Sequence, residues 1–159
     1  MKDIVTISAR AMELLCTPLA MPPRTGEGIG MHYFLRLAAE ESKKSINPHH
    51  KVGSVVSHPD DGVIAIGHNH AVADLHGTPM IHAEIAAMVT AKKPMSGCTM
   101  YVTHPPCADC SKAIAASGIK KVVFLRGSDA FNAKWKDDCA TGMVVLLAAG
   151  VDVKEVFEL

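Results

Sequence analysis

The fold is decided by Lys-Val-Val-Phe-Leu at residues 121–125 and Val-Asp-Val-Lys-Glu-Val-Phe at residues 151–157. Both segments are short and rich in β-branched residues, as strands are. Residues 138–149 between them are predicted to form a helix. Because two strands joined by a helical crossover lie parallel in one sheet, this pair predicts a sheet that is at least partly parallel.

A β-hairpin is predicted upstream, because two apolar runs flank a turn that contains Pro59 and Gly62. The two runs are residues 51–57 and 63–68. The other predicted elements are a strand at residues 99–103 and helices at residues 31–45, 82–91 and 107–117. The order α-β-β-α-β-α-β-α-β predicts an α/β fold in which helices cover a mixed five-stranded sheet whose last strand is parallel.

Length and composition are those of one globular domain. The chain has 159 residues, 48% of them hydrophobic, and a formal net charge of +0. We divide it into a helical extension with a linker, residues 1–30, and a domain, residues 31–159, because a Pro- and Gly-rich stretch precedes Met31. The lack of a basic excess argues against a nucleic-acid partner, since such proteins neutralise phosphates with Lys and Arg.

The N-terminal residues and the five cysteines bear on where the protein acts. No run of about 18 apolar residues is present, so we expect no contact with a membrane. Arg10 and Glu13 interrupt the early apolar residues, which is not typical of a signal peptide. We therefore expect a cytoplasmic protein whose cysteines are reduced rather than paired in disulfides.

The chemistry is concentrated in two short motifs that together read H-x-E…P-C-x-x-C. One imidazole and two thiolates, from His82, Cys107 and Cys110, supply three zinc ligands and leave the fourth tetrahedral position to water. Zinc lowers the pKa of such a water toward about 7. Glu84 is placed to carry protons between this water and a substrate. This pattern is the signature of zinc nucleobase deaminases, so the sequence predicts a hydrolytic deaminase with Zn²⁺ as cofactor.

Both motifs are predicted to lie at helix starts. Pro106 is placed to begin one helix, with Cys107 in its first turn, and His82 opens another. The partial positive charge at a helix N-terminus favours the thiolate form of a cysteine.

Residues 31–159 resemble the cytidine/deoxycytidylate deaminase superfamily, and most of all its deoxycytidylate (dCMP) deaminases. Beyond the metal motif, K-V-G-S-V-V at residues 51–56, G-H-N at residues 67–69 and A-G-V at residues 149–151 are similar to segments of that family. The resemblance implies a cytidine-deaminase-like fold of three α/β/α layers and the hydrolysis of dCMP to dUMP and ammonia. It also implies a homo-oligomer.

The same resemblance implies how a nucleotide would bind. Asn69 would form a hydrogen bond with the sugar, and the pyrimidine ring would lie near Val52 and Ala83. Groups around the end of the first helix would bind the 5′-phosphate, and the candidates are Lys43, Lys44, Ser45 and Lys51.

Some positions depart from the dCMP deaminase pattern. Asn47 replaces an Asp, His68 replaces a Tyr, and the loop at residues 70–81 is short. These departures leave open another small amino-heterocycle as substrate, such as cytosine, cytidine, deoxycytidine, guanine or a riboflavin-pathway pyrimidine. Three further histidines can approach the site and contact substrate or phosphate, namely His70, His76 and His104.

Two other functions share part of the pattern. A tRNA adenosine deaminase has the same two motifs, but a net charge of +0 argues against an RNA substrate. A zinc-stabilised scaffold without activity would keep the metal ligands, yet metal binding alone does not require Glu84. The sequence therefore favours an enzyme that acts on a small molecule, a nucleotide or a nucleobase.

Overall fold

A computed structural model of the protein describes residues 27–73 and 79–159. Within these ranges the helices are α1 (Glu27–Ser42), α2 (Ala83–Thr90), α3 (Ala108–Ser117) and α4 (Asp129–Ala148). The strands are β1 (Gly53–His58), β2 (Gly62–His68), β3 (His70–Ala71), β4 (Met80–Ile81), β5 (Thr99–Val102), β6 (Lys121–Leu125) and β7 (Asp152–Val156). None of the described helices combines the length and apolar composition that a membrane crossing requires.

Five strands form one mixed sheet in the order β2-β1-β5-β6-β7. Strand β1 is antiparallel to β2 and to β5, whereas β5, β6 and β7 run parallel to one another. In the last pair Lys121 lies opposite Asp152, and Leu125 lies opposite Val156. The mixed five-stranded sheet and the parallel last strand are both confirmed.

Different helices cover the two faces of the sheet. On one face, Leu35 of α1 packs in a small apolar cluster with Val123. On the other face, α2, α3 and α4 build a larger cluster in which Ile114 and Leu146 pack with Val122. The side chains of Val122 and Val123 lie on opposite faces of the sheet, because successive side chains of a strand point to alternate faces. The result is the predicted arrangement of helices on both sides of the sheet.

Three elements differ from the prediction. Helix α1 begins at Glu27, so residues 27–30 of the predicted linker are helical. Helix α4 begins at Asp129 rather than residue 138, because Ser128 caps it by accepting a hydrogen bond from the Phe131 amide at 3.2 Å. The segment predicted as a loop contains β3 and β4, which pair antiparallel in a two-stranded ribbon.

The division into residues 1–30 and 31–159 stays a prediction. Residues 1–26 lie outside the described part of the chain, and so does His76.

Gly67 in β2 lets α2 lie directly against the sheet. A Cβ at this position would be 2.6 Å from the Ala83 carbonyl oxygen and 2.8 Å from the Ala86 carbonyl carbon, which are backbone atoms of α2. Any larger residue would push α2 outward, because backbone atoms cannot turn aside as a side chain can. This contact sets the position of Glu84, which lies in the first turn of α2.

Replacing Gly67 with Ala is expected to lower the free energy of unfolding by about 2–3 kcal/mol, because the added methyl group overpacks a backbone contact. Gly30→Ala is the matched control, since nothing lies within 4 Å of a Cβ there. Ala is also the better helix former, so this control should be as stable as wild type or more so. Urea denaturation measures both variants. A Gly67→Ala protein as stable as wild type would contradict this packing of α2 against β2.

Candidate active site

The two sequence motifs meet where the N-termini of α2 and α3 come together. His82 is the N-cap residue of α2 and Cys107 is the N-cap residue of α3. Cys107 thus lies just before the helix instead of in its first turn, and Pro106 lies one residue further out. The Cys107 sulfur accepts a hydrogen bond from the Cys110 amide at 3.4 Å, so it satisfies a donor at the helix start.

The geometry of three side chains suits a zinc ion. His82 Nδ1 lies 3.4 Å from Cys107 Sγ and 3.4 Å from Cys110 Sγ, and the three atoms all lie within 4.8 Å of one another. Tetrahedral zinc with bonds of about 2.0–2.3 Å would hold nitrogen and sulfur ligands about 3.5 Å apart. His82, Cys107 and Cys110 therefore form a site into which zinc fits with little movement.

Hydrogen bonds among these side chains change their proton affinities. Contacts with the Cys110 side chain and with His82 lower the pKa of the Cys107 thiol to about 4. The pKa of Cys110 is raised by its hydrogen bond to Cys107 and by burial. The pKa of His82 is raised by its hydrogen bond to Cys107. Zinc binding requires thiolate sulfurs and a neutral imidazole nitrogen, so a bound cation would displace the protons that these contacts hold.

Glu84 is the buried carboxyl group of the site, only 4% exposed. Burial raises its pKa to about 7, since removal from water disfavours the charged form. A carboxyl group with a pKa near neutral pH both accepts and releases protons readily, as general acid–base catalysis requires.

A pocket of about 260 Å³ opens beside these residues. The residues predicted from sequence that line it are Val52, Asn69, His82, Ala83, Glu84, His104 and Cys107. The third metal ligand, Cys110, is buried at 1% exposure. The structure therefore brings together the metal motif and the three residues expected to contact the base and the sugar.

The side chain of Asn69 holds the loop that precedes β1. Its Oδ1 accepts a hydrogen bond from the Val52 amide at 2.8 Å, and its Nδ2 donates to the His50 carbonyl oxygen at 2.9 Å. The Ser45 hydroxyl donates to the Asn69 carbonyl oxygen at 2.8 Å. Asn69 therefore fixes part of the pocket wall, a role that its sequence motif did not reveal. Its predicted hydrogen bond to a sugar stays a prediction.

The four candidates for phosphate binding are not among the described residues that line the pocket. Lys43 and Lys44 each form an ion pair of 2.7 Å with a glutamate of α1. Ser45 is buried, and Lys51 is exposed. Their role in binding phosphate stays a prediction.

Helix α4 supplies a pocket wall that sequence reasoning missed. The wall residues of α4 are Phe131, Trp135, Asp138 and Cys139, spaced so that they share one helical face. Asp138 Oδ1 also accepts a hydrogen bond from the Ala108 amide at 3.2 Å and so ties α4 to the start of α3. The signal that could have found this wall is Ser128, a helix-capping residue followed by apolar residues at helical spacing.

The histidines singled out from the sequence have different positions. His104 lines the pocket, and His50 joins it there although sequence reasoning did not select it. His68 Nδ1 lies 2.8 Å from Glu41 Oε1, while His70 Nδ1 lies 3.0 Å from the His68 carbonyl oxygen. The other described wall residues are Asn47, Met80 and Pro105.

Comparison with known proteins agrees with this geometry. Residues 30–126 match the family described as the cytidine and deoxycytidylate deaminase zinc-binding region. The deoxycytidylate deaminase of Enterobacteria phage T2 is 39% identical over 103 residues, which are 63% of this chain and 51% of that protein. The tRNA-specific adenosine deaminase of Aquifex aeolicus is 35% identical over 102 residues, 60% of this chain and 66% of that protein. The chain thus spans about half the length of the phage relative.

The fold is similar to that of a solved dCMP deaminase from the cyanophage S-TIM5. Its apo structure has a TM-score of 0.65 and 29% identity, covering 79% of this chain and 96% of that chain. A second structure, in complex with dCMP and dUMP, has a TM-score of 0.65 and 27% identity and covers 79% of this chain and 95% of that chain. The likeness therefore extends over nearly all of that enzyme.

Cys110→Ser is expected to abolish stoichiometric zinc binding. Loss of a group that supports a ligand costs about 10- to 100-fold in metal affinity, and loss of a ligand itself should cost more. The matched control is Cys139→Ser, which also removes a thiol from the site region but is not one of the three ligands and keeps a donor for the Pro105 carbonyl oxygen. Metal analysis of the purified variants should find one zinc in the control only. Zinc retained by Cys110→Ser would contradict the ligand set.

Asn69→Ala is expected to destabilise the substrate-free protein by about 1–3 kcal/mol, because it leaves the Val52 amide and the His50 carbonyl oxygen unpaired. Urea denaturation without any nucleotide is the measurement. A contact to the sugar alone would leave this stability unchanged, so an unaltered denaturation midpoint would contradict the clamping role.

Proposed function

The chain belongs to the cytidine and deoxycytidylate deaminase family, and from that premise we propose that it is a zinc-dependent hydrolase that converts dCMP to dUMP and ammonia. The observation that carries the proposal is that His82, Cys107 and Cys110 bring three potential metal-ligand atoms together beside the buried Glu84. The substrate is inferred from relatives: the phage T2 protein is a deoxycytidylate deaminase, and the cyanophage enzyme has been crystallised with dCMP and dUMP.

His82, Cys107 and Cys110 would hold the metal through one nitrogen and two sulfur atoms. Bound zinc supplies Lewis-acid activation of water. Three protein ligands leave one tetrahedral position open, which distinguishes a catalytic site from a closed structural one.

Glu84 moves the protons of the reaction. Its carboxylate takes a proton from the attacking water as the new C–O bond forms at the carbon that bears the amino group. It passes this proton to the ring nitrogen. It then takes the proton of the new C–OH group and delivers it to the amino group, so that the C=O bond forms as the C–N bond breaks and ammonia leaves. The pKa of about 7 suits Glu84 to both steps.

The rest of the pocket orients the substrate. We place the pyrimidine ring against Val52 and Ala83, because both line the pocket that Glu84 lines. The sugar is placed at Asn69, the third residue expected from the family pattern.

A homo-oligomer in the cytoplasm is part of the same proposal. Val144 and Leu147 on α4 are 66% and 63% exposed, an apolar surface that a second subunit can cover. A reducing compartment would keep the thiols of Cys107 and Cys110 free for the metal.

One observation favours a second candidate, an uncharged substrate such as deoxycytidine, cytosine or guanine. Among the described residues that line the pocket there is no lysine or arginine, while Glu84 and Asp138 are both acidic. A substrate without a phosphate would need no cation. An RNA substrate, as for the Aquifex aeolicus relative, has less support because the formal net charge is +0.

Ammonia release by the zinc-loaded protein tests these candidates. The panel comprises dCMP, CMP, deoxycytidine, cytosine, guanine and adenosine. Turnover confined to dCMP supports the proposal, and turnover of an uncharged substrate alone supports the second candidate. Ammonia from none of the six would contradict both.

Glu84→Gln is expected to lower kcat for dCMP by about 10²- to 10⁴-fold, because the amide cannot exchange protons. Zinc content should remain at one per chain, since Glu84 is not a ligand. Glu40→Gln, an exposed residue of α1, is the control and should keep full activity. Coupled ammonia assays and metal analysis measure these quantities, and undiminished turnover by Glu84→Gln would remove the mechanism.

A further inference from the structure

A nucleotide substrate brings a phosphate dianion that the pocket must bind. Proteins bind phosphate through cations or through N–H donors. Within the described pocket wall no lysine or arginine is available, and Lys43 and Lys44 are already paired with glutamates. Within this wall, N–H donors are therefore the groups that can bind the phosphate.

Two histidines of the wall pack on the same aromatic ring. The His50 ring packs edge-on against Phe131 with 5.3 Å between centroids, and the His104 ring packs on the same Phe131 at 4.5 Å. Both histidines are among the residues that line the pocket. The loop before β1 and the loop after β5 thus present a pair of imidazoles across one aromatic ring of α4.

The proton of His104 can be assigned from its neighbour. Thr103 is 6% exposed, and its Oγ1 accepts a hydrogen bond from the Gly53 amide at 3.0 Å. The Thr103 hydroxyl proton then needs an acceptor, and His104 Nδ1 lies 3.1 Å away. Burial lowers the pKa of His104 to about 4, so the ring is neutral. Its remaining proton is on Nε2, a donor held in a fixed ring.

Two hydrogen bonds hold the backbone of His50 in place. Its amide donates to Asn47 Oδ1 at 3.0 Å, and its carbonyl oxygen accepts from Asn69 Nδ2 at 2.9 Å. The backbone is thus fixed on both sides of the ring, next to the residue proposed to contact the sugar. In a nucleotide the phosphate is the group that follows the sugar.

We propose that His50 and His104 bind the 5′-phosphate and make the enzyme selective for a nucleotide over its nucleoside. This inference rests on the proposed function. It assigns the amino-bearing ring to the end of the pocket with Glu84 and the phosphate to the imidazole pair. Asp138 does not oppose this arrangement, because its carboxylate is bound to an amide at the N-terminus of α3, where the partial positive charge offsets it.

The variants that test the inference are His50→Phe and His104→Phe. Phenylalanine keeps a ring against Phe131 and removes the N–H donors. Each variant is expected to raise the Kd of dUMP and the KM of dCMP by about 10- to 100-fold, the usual effect of losing a hydrogen bond to a charged group. The kcat for dCMP should change by less than about threefold, since a phosphate contact made equally in the ground state and the transition state affects KM and not kcat. Calorimetry with dUMP and deoxyuridine and steady-state kinetics with dCMP are the measurements.

Matched controls separate phosphate binding from effects on folding. His104→Gln keeps an N–H donor and should recover part of the dUMP affinity that His104→Phe loses. Lys93→Gln, whose lysine pairs with Asp61 at 2.9 Å, should behave as wild type. Lys51→Gln tests the competing assignment, and a loss of dUMP affinity there with none in the histidine variants would overturn the inference.

The other outcomes are also decisive. Equal weakening of dUMP and deoxyuridine binding would overturn the inference, because it would show a role in base binding or packing. A wild-type protein that binds dUMP no more tightly than deoxyuridine would overturn it and leave the deaminase chemistry intact. A wild-type protein that does not turn over dCMP would contradict the proposed function itself.

Discussion

The imidazole nitrogen of His82 lies 3.4 Å from two thiol sulfurs, and this approach requires α2 and α3 to meet end to end. Each helix begins at a ligand, so the partial positive charges of two helix N-termini converge on the same point. That convergence is favourable only if negative charge lies between them, as thiolates do. The positions of the helices and the chemistry of the site therefore depend on one another.

Close backbone packing keeps these helices in place. Gly67 lets α2 lie against β2, and Gly142 does the same for α4 against α3, where a Cβ would be 2.6 Å from the Pro106 carbonyl oxygen. Rigid contacts of this kind transmit small displacements directly, because backbone has no rotamers to absorb them. The three residues that can bind the metal thus lie at the starts of helices whose distance from their neighbours is set by glycines.

The polar groups of the pocket have different proposed roles, in proton transfer and in phosphate binding. Glu84 lies with the metal ligands, and the imidazoles of His50 and His104 pack on Phe131. The Asn69 side chain holds the loop that carries His50 and Val52. A protein of this family that lacks a lysine or arginine in its described pocket wall can still bind an anion if neutral N–H donors are fixed in place, because preorganised donors need no reorganisation on binding.

The sequence by itself determined the residue types and spacings that act locally: the thiols of Cys107 and Cys110 three residues apart, the imidazole of His82 two residues before Glu84, and the strand–helix–strand order that makes β6 and β7 parallel. Only the tertiary structure decided that Asn69 clamps a loop 17 and 19 residues away and that α4 closes the pocket. Local periodicity records which face of a helix or strand is apolar, and so it predicts elements and motifs. It does not record which distant backbone amide a buried side chain will satisfy, since that choice is made when the whole chain packs.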